Sequence, residues 1–264
     1  MKKLLVAGTA TAALLIGASA ASGADLAARP YTKAPPMVAS VYNWTGFYIG
    51  GHIGGGWADQ GATELDPGTG AFPTDTVFAR KNLSGFLGGV QGGYNWQAGN
   101  NFVLGIEGEY TWADVSGSAT SVSTVPRLLG FSSTSTSKLQ DIALITGRLG
   151  YAENNWLLYV KGGGAWGQQK SSAVNTFANG TLFDTNSSSS DRSGWVVGVG
   201  AEWAFAPNWS AKLEYNYIDF GSANVTNNAS NGTQSFVRSS ETVNIVKAGL
   251  NYHFNFGGQT AGRY

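Results

Sequence analysis

Residues 156–166 read WLLYVKGGGAW. In an extended chain Trp156, Leu158, Val160 and Trp166 share one face, while Tyr159 and Lys161 share the other, because successive side chains of a strand alternate. The same ten-residue interval separates Phe47 from Trp57, Phe86 from Trp96 and Phe102 from Trp112. Ten steps of roughly 3.3 Å, tilted by about 40°, rise roughly 25 Å. That is the apolar band which a membrane-spanning β-barrel presents between its two aromatic girdles. A soluble sandwich has no reason to repeat that distance. The girdle set read from strand ends is Trp57, Trp96, Trp112, Trp156, Trp166, Trp195, Trp203 and Trp209.

Seven more alternating segments flank this one, predicted at about 46–57, 85–96, 101–112, 139–151, 194–205, 209–219 and 242–254. The upper half of the 139–151 segment (Ile142, Ala143, Leu144) is apolar on both faces, which leaves its register open. The connections QAGN, AENN and APN are short and built from turn formers. Those at 58–84, 113–138, 168–193 and 220–241 read as long loops rich in Ser, Thr, Asn and Gly. An even strand number, short turns at one rim and long loops at the other define an all-β fold: an eight-stranded antiparallel up-and-down transmembrane β-barrel. The location this implies is the bacterial cell outer membrane.

Composition agrees. The chain carries 16 basic and 16 acidic residues, 38 glycines, 7 prolines and no cysteine. Balanced charge gives no electrostatic case for nucleic acid. Without cysteine there is no disulfide framework and no thiolate chemistry. Residues 1–23 read as a signal peptide, with Lys2 and Lys3 ahead of the apolar stretch LLVAGTATAALLIGASA and small residues at 18–24. Cleavage after Ala20, Gly23 or Ala24 each satisfies the small-residue rule. Residues 24–44 read as a periplasmic linker, 45–256 as the barrel and 257–264 as a tail. Beyond the signal no apolar run reaches the roughly 18–20 residues of a spanning helix, so a membrane-spanning mature chain must be a barrel.

The segments NWTGFYIGGHIGGGW (43–57), ADLAARPYTKAPP (24–36), TGRLGYA (146–152) and KAGLNYHF (247–254) carry a resemblance. They are similar to the small OmpA-like outer-membrane barrels of alphaproteobacteria, described as outer-membrane immunogenic, surface-antigen or porin-family proteins. The resemblance implies an envelope-integrity role, with exposed loops acting as antigen or interaction surface toward host or phage ligands. It also implies contact with outer-membrane lipid and lipopolysaccharide and with the barrel-insertion machinery. In that comparison Lys247, Gly249, Tyr252 and Phe254 match the insertion signal. Ala24 of an Ala24-Asp25 amino terminus matches the residue joined to peptidoglycan. The chain departs from the pattern by running on through NFGGQTAGRY, so either Phe254 or Phe256 closes the barrel. Alternative functions are a narrow porin for ions or small solutes, or a surface protein binding haem or a host molecule.

The inward faces carry Glu107, Glu109, Glu202 and Glu214 against Arg148, Lys161, Lys212 and Lys247. Unpaired burial of a charge costs several kcal/mol, so four acids against four bases read as a salt-bridged filling. Inward glycines (Gly50, Gly54, Gly89, Gly93, Gly163) make room for the long charged side chains. Eight strands leave space for side chains or one small ligand. The histidines, His52 and His253, both face inward and read as polar filling. Catalytic residues, metal ligands and cofactors are not expected: the Ser- and Asp-rich loops hold no histidine to complete a triad.

Overall fold

The computed structural model describes residues 42–66, 80–99, 101–122, 130–228 and 234–254. The expected signal peptide, the linker up to residue 41, Thr76–Phe78, Phe256 and the 257–264 tail lie outside the described residues. Eight strands run β1 (Gly46–Asp66), β2 (Lys81–Ala98), β3 (Phe102–Val122), β4 (Ser132–Glu153), β5 (Trp156–Thr176), β6 (Leu182–Ala206), β7 (Trp209–Asn228) and β8 (Gln234–Phe254). Each pairs antiparallel with its chain neighbours, and β1 pairs β8 from Phe47↔Phe254 upward, so the sheet closes on itself. Closure satisfies every edge, the condition for a sheet to cross hydrocarbon.

The strands are about twice as long as a bilayer requires. A tilted spanning strand needs about 9–11 residues, whereas β4 has 22 and β6 has 25. Much of the four long loops expected from sequence is therefore β-structure that carries the barrel wall past the outer aromatic belt. The expected loops 113–138 and 168–193 give most of their length to β3, β4, β5 and β6. Lipid dictates an apolar outward face only within the band. Farther out, past the apolar residues that line the lumen just beyond the belt, both faces are polar, and a Ser/Thr-rich strand reads as a loop.

A bulge in β4 resolves its register. The pairing with β5 slips between Leu139 and Asp141, where β4 carries one extra residue. The extra residue reverses the alternation, so Leu139 points inward above the slip and Ile142 and Leu144 point inward below it, all buried. Ala143 lies on the opposite face, beside the exposed Ile145.

Packing begins earlier in the chain than residue 45. Tyr42 and Trp44, assigned by sequence to the linker, lie against the barrel floor, and Trp44 is fully buried. The backbone N–H of Trp44 donates to Gln97 Oε1 at 2.9 Å, which holds the incoming chain at the short-turn rim.

Candidate functional site: the barrel interior and the outer belts

The interior is a stack of layers. At the short-turn end Trp44, Val103, Ala152, Leu157, Tyr159 and Ala204 form an apolar floor. The ring of His253 meets Trp44 edge-on at 5.7 Å and lies 5.6 Å from Tyr48. Above it Glu202, fully buried, accepts from Ser210 Oγ at 2.5 Å and Asn251 Nδ2 at 2.7 Å, and pairs with Arg148 at 3.4 Å.

Arg148 is the hinge between two charged layers. Its guanidinium sits 4.8 Å from the Tyr48 ring centroid and 4.9 Å from that of Tyr159. Its Nε donates to Asn95 Oδ1 at 2.8 Å, and Nη1 lies 3.8 Å from Glu107. The two tyrosines fit because each faces a glycine across the sheet: Tyr48 opposes Gly93 and Tyr159 opposes Gly200. A Cβ on Gly93 would fall 2.5 Å from the Tyr48 hydroxyl, and one on Gly200 would overlap the Tyr159 ring. At Gly93 the sequence expectation is thus adjusted: the glycine clears space for an aromatic ring rather than a charged chain. Gly54, by contrast, does lie against Lys247.

The next layer holds three carboxylates and three ammoniums. Lys161 Nζ lies 2.6 Å from Glu109, 2.7 Å from Glu214 and 3.2 Å from Glu107. Lys212 lies 3.1 Å from Glu107 and 3.5 Å from Glu214. Lys247 pairs with Glu109, and with Glu214 at 3.0 Å. Tyr48 and Tyr159 donate their hydroxyls to Glu107 and Glu214 at 2.9 and 2.7 Å. All eight interior charges named from sequence therefore meet in one network. Glu107, Glu109 and Glu214 converge closely enough to ligate a metal, with ligand oxygens within 4.8 Å. The three lysines already occupy that position and supply its positive charge. His52 stands beside this layer, 2.6 Å from Gln91 and 3.0 Å from Thr111.

Two further layers had weaker sequence signals. An apolar plug lies above the charges, built around Leu87, Leu139, Ile142, Leu144, Ile218 and Ile245. The trace it left in sequence was the two-sided apolar run at 142–144. Above the plug a second polar layer contains Gln60, Ser137, Gln169, Arg192 and Glu241, all buried. Arg192 lies 3.7 Å from Glu241 and donates to Ser239 Oγ at 3.0 Å. A packing gap too small for a water molecule lies at the junction, between Leu139, Gly167, Gln169, Arg192, Phe220 and Glu241.

The fold also joins a serine, a histidine and an acid that sequence left apart. Ser210 Oγ lies 2.8 Å from His253 Nε2, and Glu202 lies 3.3 Å from the same nitrogen. A catalytic triad needs the acid on the far ring nitrogen, so that the imidazole is oriented toward the serine. Here acid and serine share Nε2, Nδ1 has no hydrogen-bond partner among the described residues, and all three side chains are buried. The arrangement holds Glu202 rather than activating Ser210.

Outside, the eight tryptophans named above are 42–57% exposed and stand in two belts, although tryptophan is among the residues most buried on average. Trp156 stacks on Trp203 at 6.0 Å at the short-turn belt, and Trp195 meets Tyr217 at 5.6 Å at the other. Between them Val160 and Val199 face each other across β5 and β6, both exposed. Of the carboxy-terminal residues, Lys247 points inward and Tyr252 packs on Trp209 and Phe254 outside. Gly249 approaches the Gly51 carbonyl and the His52 side chain.

A closed sheet with an apolar, aromatic-rimmed outer surface and a charged interior is an outer-membrane β-barrel. The chain belongs to the outer membrane protein β-barrel domain family, whose model matches residues 10–254. It is 32% identical to the 31 kDa outer-membrane immunogenic protein of Brucella melitensis, over 96% of this chain and 100% of that one. The 22 kDa outer membrane protein of Rhizobium leguminosarum is 30% identical over 68% of this chain and 66% of its own length. Among solved structures, the outer membrane protease OmpT of Escherichia coli aligns over 81% of this chain and 98% of its own, with 12% identity and a TM-score of 0.47.

Proposed function

We propose that the protein is a closed, non-catalytic barrel that supports the outer membrane and holds a β-structured surface outside the cell. The stacked interior is the observation that carries this reading. A solute entering from the short-turn side meets Trp44, the Arg148 layer, the six-charge layer and then the apolar plug. The gap beside Arg192 and Glu241 has no room for even a water molecule, far below the roughly 300 Å³ at which small-molecule pockets begin. The Brucella relatives are named as immunogenic proteins. Strands that continue past the outer belt give antibodies or other partners a rigid wall to meet, rather than only loops. Planar-bilayer recording tests the closed interior, with brief, small openings expected. Stable steps of porin size would refute it.

In this reading the two tryptophan belts anchor the barrel at the lipid interfaces. Lys247, Gly249, Tyr252 and Phe254 form the signal read by the insertion machinery. The amino terminus provides a wall anchor at Ala24. The position of residue 42 at the short-turn rim supports that last element, because the preceding chain then starts on the periplasmic side. Muramidase digestion followed by mass spectrometry of the amino-terminal peptide tests the anchor. A free Ala24 amine throughout, or cleavage after Ala20, would remove it.

A further inference from the structure

The ring of pairing that is complete through the membrane band is cut above it. The β6–β7 ladder stops at Trp195↔Asp219, in the outer tryptophan belt. Beyond that point β6 stays with β5 as far as Thr176↔Leu182, while β7 continues with β8 as far as Asn228↔Gln234. The parting has a local cause. Gly221 adopts a left-handed φ of 65°, its N–H donates to Asp219 Oδ1 at 2.7 Å, and the β7–β8 register slips between Asp219 and Ser222. A bulge of this kind bends its strand, and the bend falls where β7 leaves β6.

The outer part of β6 is therefore the edge of a sheet. Alternation fixes which backbone groups face the open side. The N–H of Ala204 donates to the Asn155 carbonyl, on the β5 side, at 2.8 Å. Pairing with β5 then runs without a slip from Trp203 to Asp184. Even-numbered residues of this stretch thus bond toward β5, and odd-numbered ones face β7 or, past Trp195, the opening. Ser187, Ser189 and Asp191, all exposed, each turn an N–H and a C=O to that opening. Natural edges are blunted by lysine, proline or a covering segment. The run NSSSSDRS (186–193) contains neither lysine nor proline, and no described residue of β7 pairs with it.

We propose that this edge takes up an extended segment of another protein as an added strand outside the cell. The chemistry of the segment follows from what flanks the opening. Ser187 and Ser189 are short and neutral, which suits an uncharged, β-prone run of Thr, Val and Ser. At the belt end Asp191 and Asp219 stand on either side of the opening, so the segment carries a lysine or arginine there, where opposite charges on facing strands attract. The neighbouring cations do not compete: Lys170 and Lys138 lie one and two strands behind β6, and Arg192 points into the lumen toward Glu241. A second copy in the same membrane is a poorer occupant. Its β6 runs in the same direction, so the two edges could meet only as a parallel pair, the less stable ladder. The proposal deepens the reading of the extended wall as an interaction surface and rests on it.

The test uses the full chain refolded in lipid vesicles and titrated with a fluorescein-labelled peptide of the sequence QQKSSAVNT (168–176). That strand already pairs with the other edge of β6 and carries a single positive charge. Proline at 187 or 189 removes an N–H that faces the opening and leaves the bonds to β5 in place. Loss of one backbone hydrogen bond corresponds to about five-fold in affinity. Ser187→Pro and Ser189→Pro should each weaken binding about five-fold, and the double variant about twenty-five-fold. Ser187→Ala should bind as wild type does. Asp191→Asn should weaken binding about three-fold and flatten its dependence on salt. The peptide with consecutive N-methyl groups at its centre, which block both of its edges, should not bind. Absence of saturable binding by wild type would overturn the proposal, as would equal binding by wild type and the double proline variant. A loss in Ser187→Ala as large as in Ser187→Pro would point to side-chain recognition and overturn strand addition. Dimers of wild type that the peptide dissociates would assign the edge to a second copy and overturn the commitment to another protein. Heat-modifiable migration of each variant reports barrel closure separately, so failure of the barrel reading is distinguishable from failure of the docking edge.

Discussion

Arg148 offers the sharpest test of the interior. Its guanidinium bridges Glu202 at 3.4 Å and Glu107 at 3.8 Å, donates to Asn95 and lies between two tyrosine rings, with its side chain 1% exposed. Arg148→Met keeps most of the volume but leaves Glu202 facing only neutral donors and His253. Removing one partner of a buried ion pair costs about 3–5 kcal/mol, and the loss of two desolvated cation–π contacts adds to that. Arg148→Met should therefore destabilise by at least about 3 kcal/mol. Glu202→Gln should cost a similar amount, because it leaves Arg148 with Glu107 alone at a longer distance. The double variant removes both charges and should cost less than the sum of the singles by about 1–3 kcal/mol, the range seen for residues in one network. Urea unfolding in lipid vesicles, followed by tryptophan fluorescence and checked by heat-modifiable migration, measures all four corners of the cycle. Additivity within about 0.5 kcal/mol would mean that water screens the two groups, and the salt-bridged interior would be wrong.

Val160→Arg and Val199→Arg each place a charge at mid-band on paired, lipid-facing positions and should cost about 2–4 kcal/mol, whereas Trp166→Arg at the belt should cost about 1 kcal/mol or less; vesicle unfolding that ranks Trp166→Arg worst would contradict the assigned band. Gly200→Ala drives a methyl into the Tyr159 ring and should cost about 1–3 kcal/mol by overpacking. The double change with Tyr159→Phe should not recover that loss, because the clash includes ring carbons as well as the hydroxyl. Trp44→Ala empties the floor and should cost about 3–5 kcal/mol; wild-type stability on the same vesicle assay would show that residues 42–45 are dispensable linker after all.

Within the bilayer band the fold was legible because two solvents act on each strand. Lipid outside and a polar lumen inside force the alternation of Trp156, Leu158 and Val160 with Tyr159 and Lys161, and the band's thickness sets the interval to Trp166. The same constraint placed all eight network charges on inward faces. Legibility ended where one of the two solvents changed. Above the belt, Ser116, Ser118 and Thr120 face water or headgroups instead of acyl chains, so β3 carried no hydropathy period there although its pairing with β4 continues to Val122. Arg192 and Glu241 were lost to view for that reason. Strand β4 was obscured differently: its bulge reverses the alternation at the point where the plug makes the interior apolar as well.

Period, turn chemistry and charge balance, all local properties of the sequence, determined that this chain is an eight-stranded barrel with acids and bases inside. Only the tertiary structure decided who meets whom. Glu107 and Lys212 are distant in the chain, and their 3.1 Å contact exists because closure of the sheet brings β3 and β7 to face each other across the lumen. The order of the layers, the tyrosine pair around Arg148 and the point where β6 parts from β7 depend in the same way on cross-strand register. Register is set by the sum of many pairings around a closed ring, which no single segment of the sequence contains.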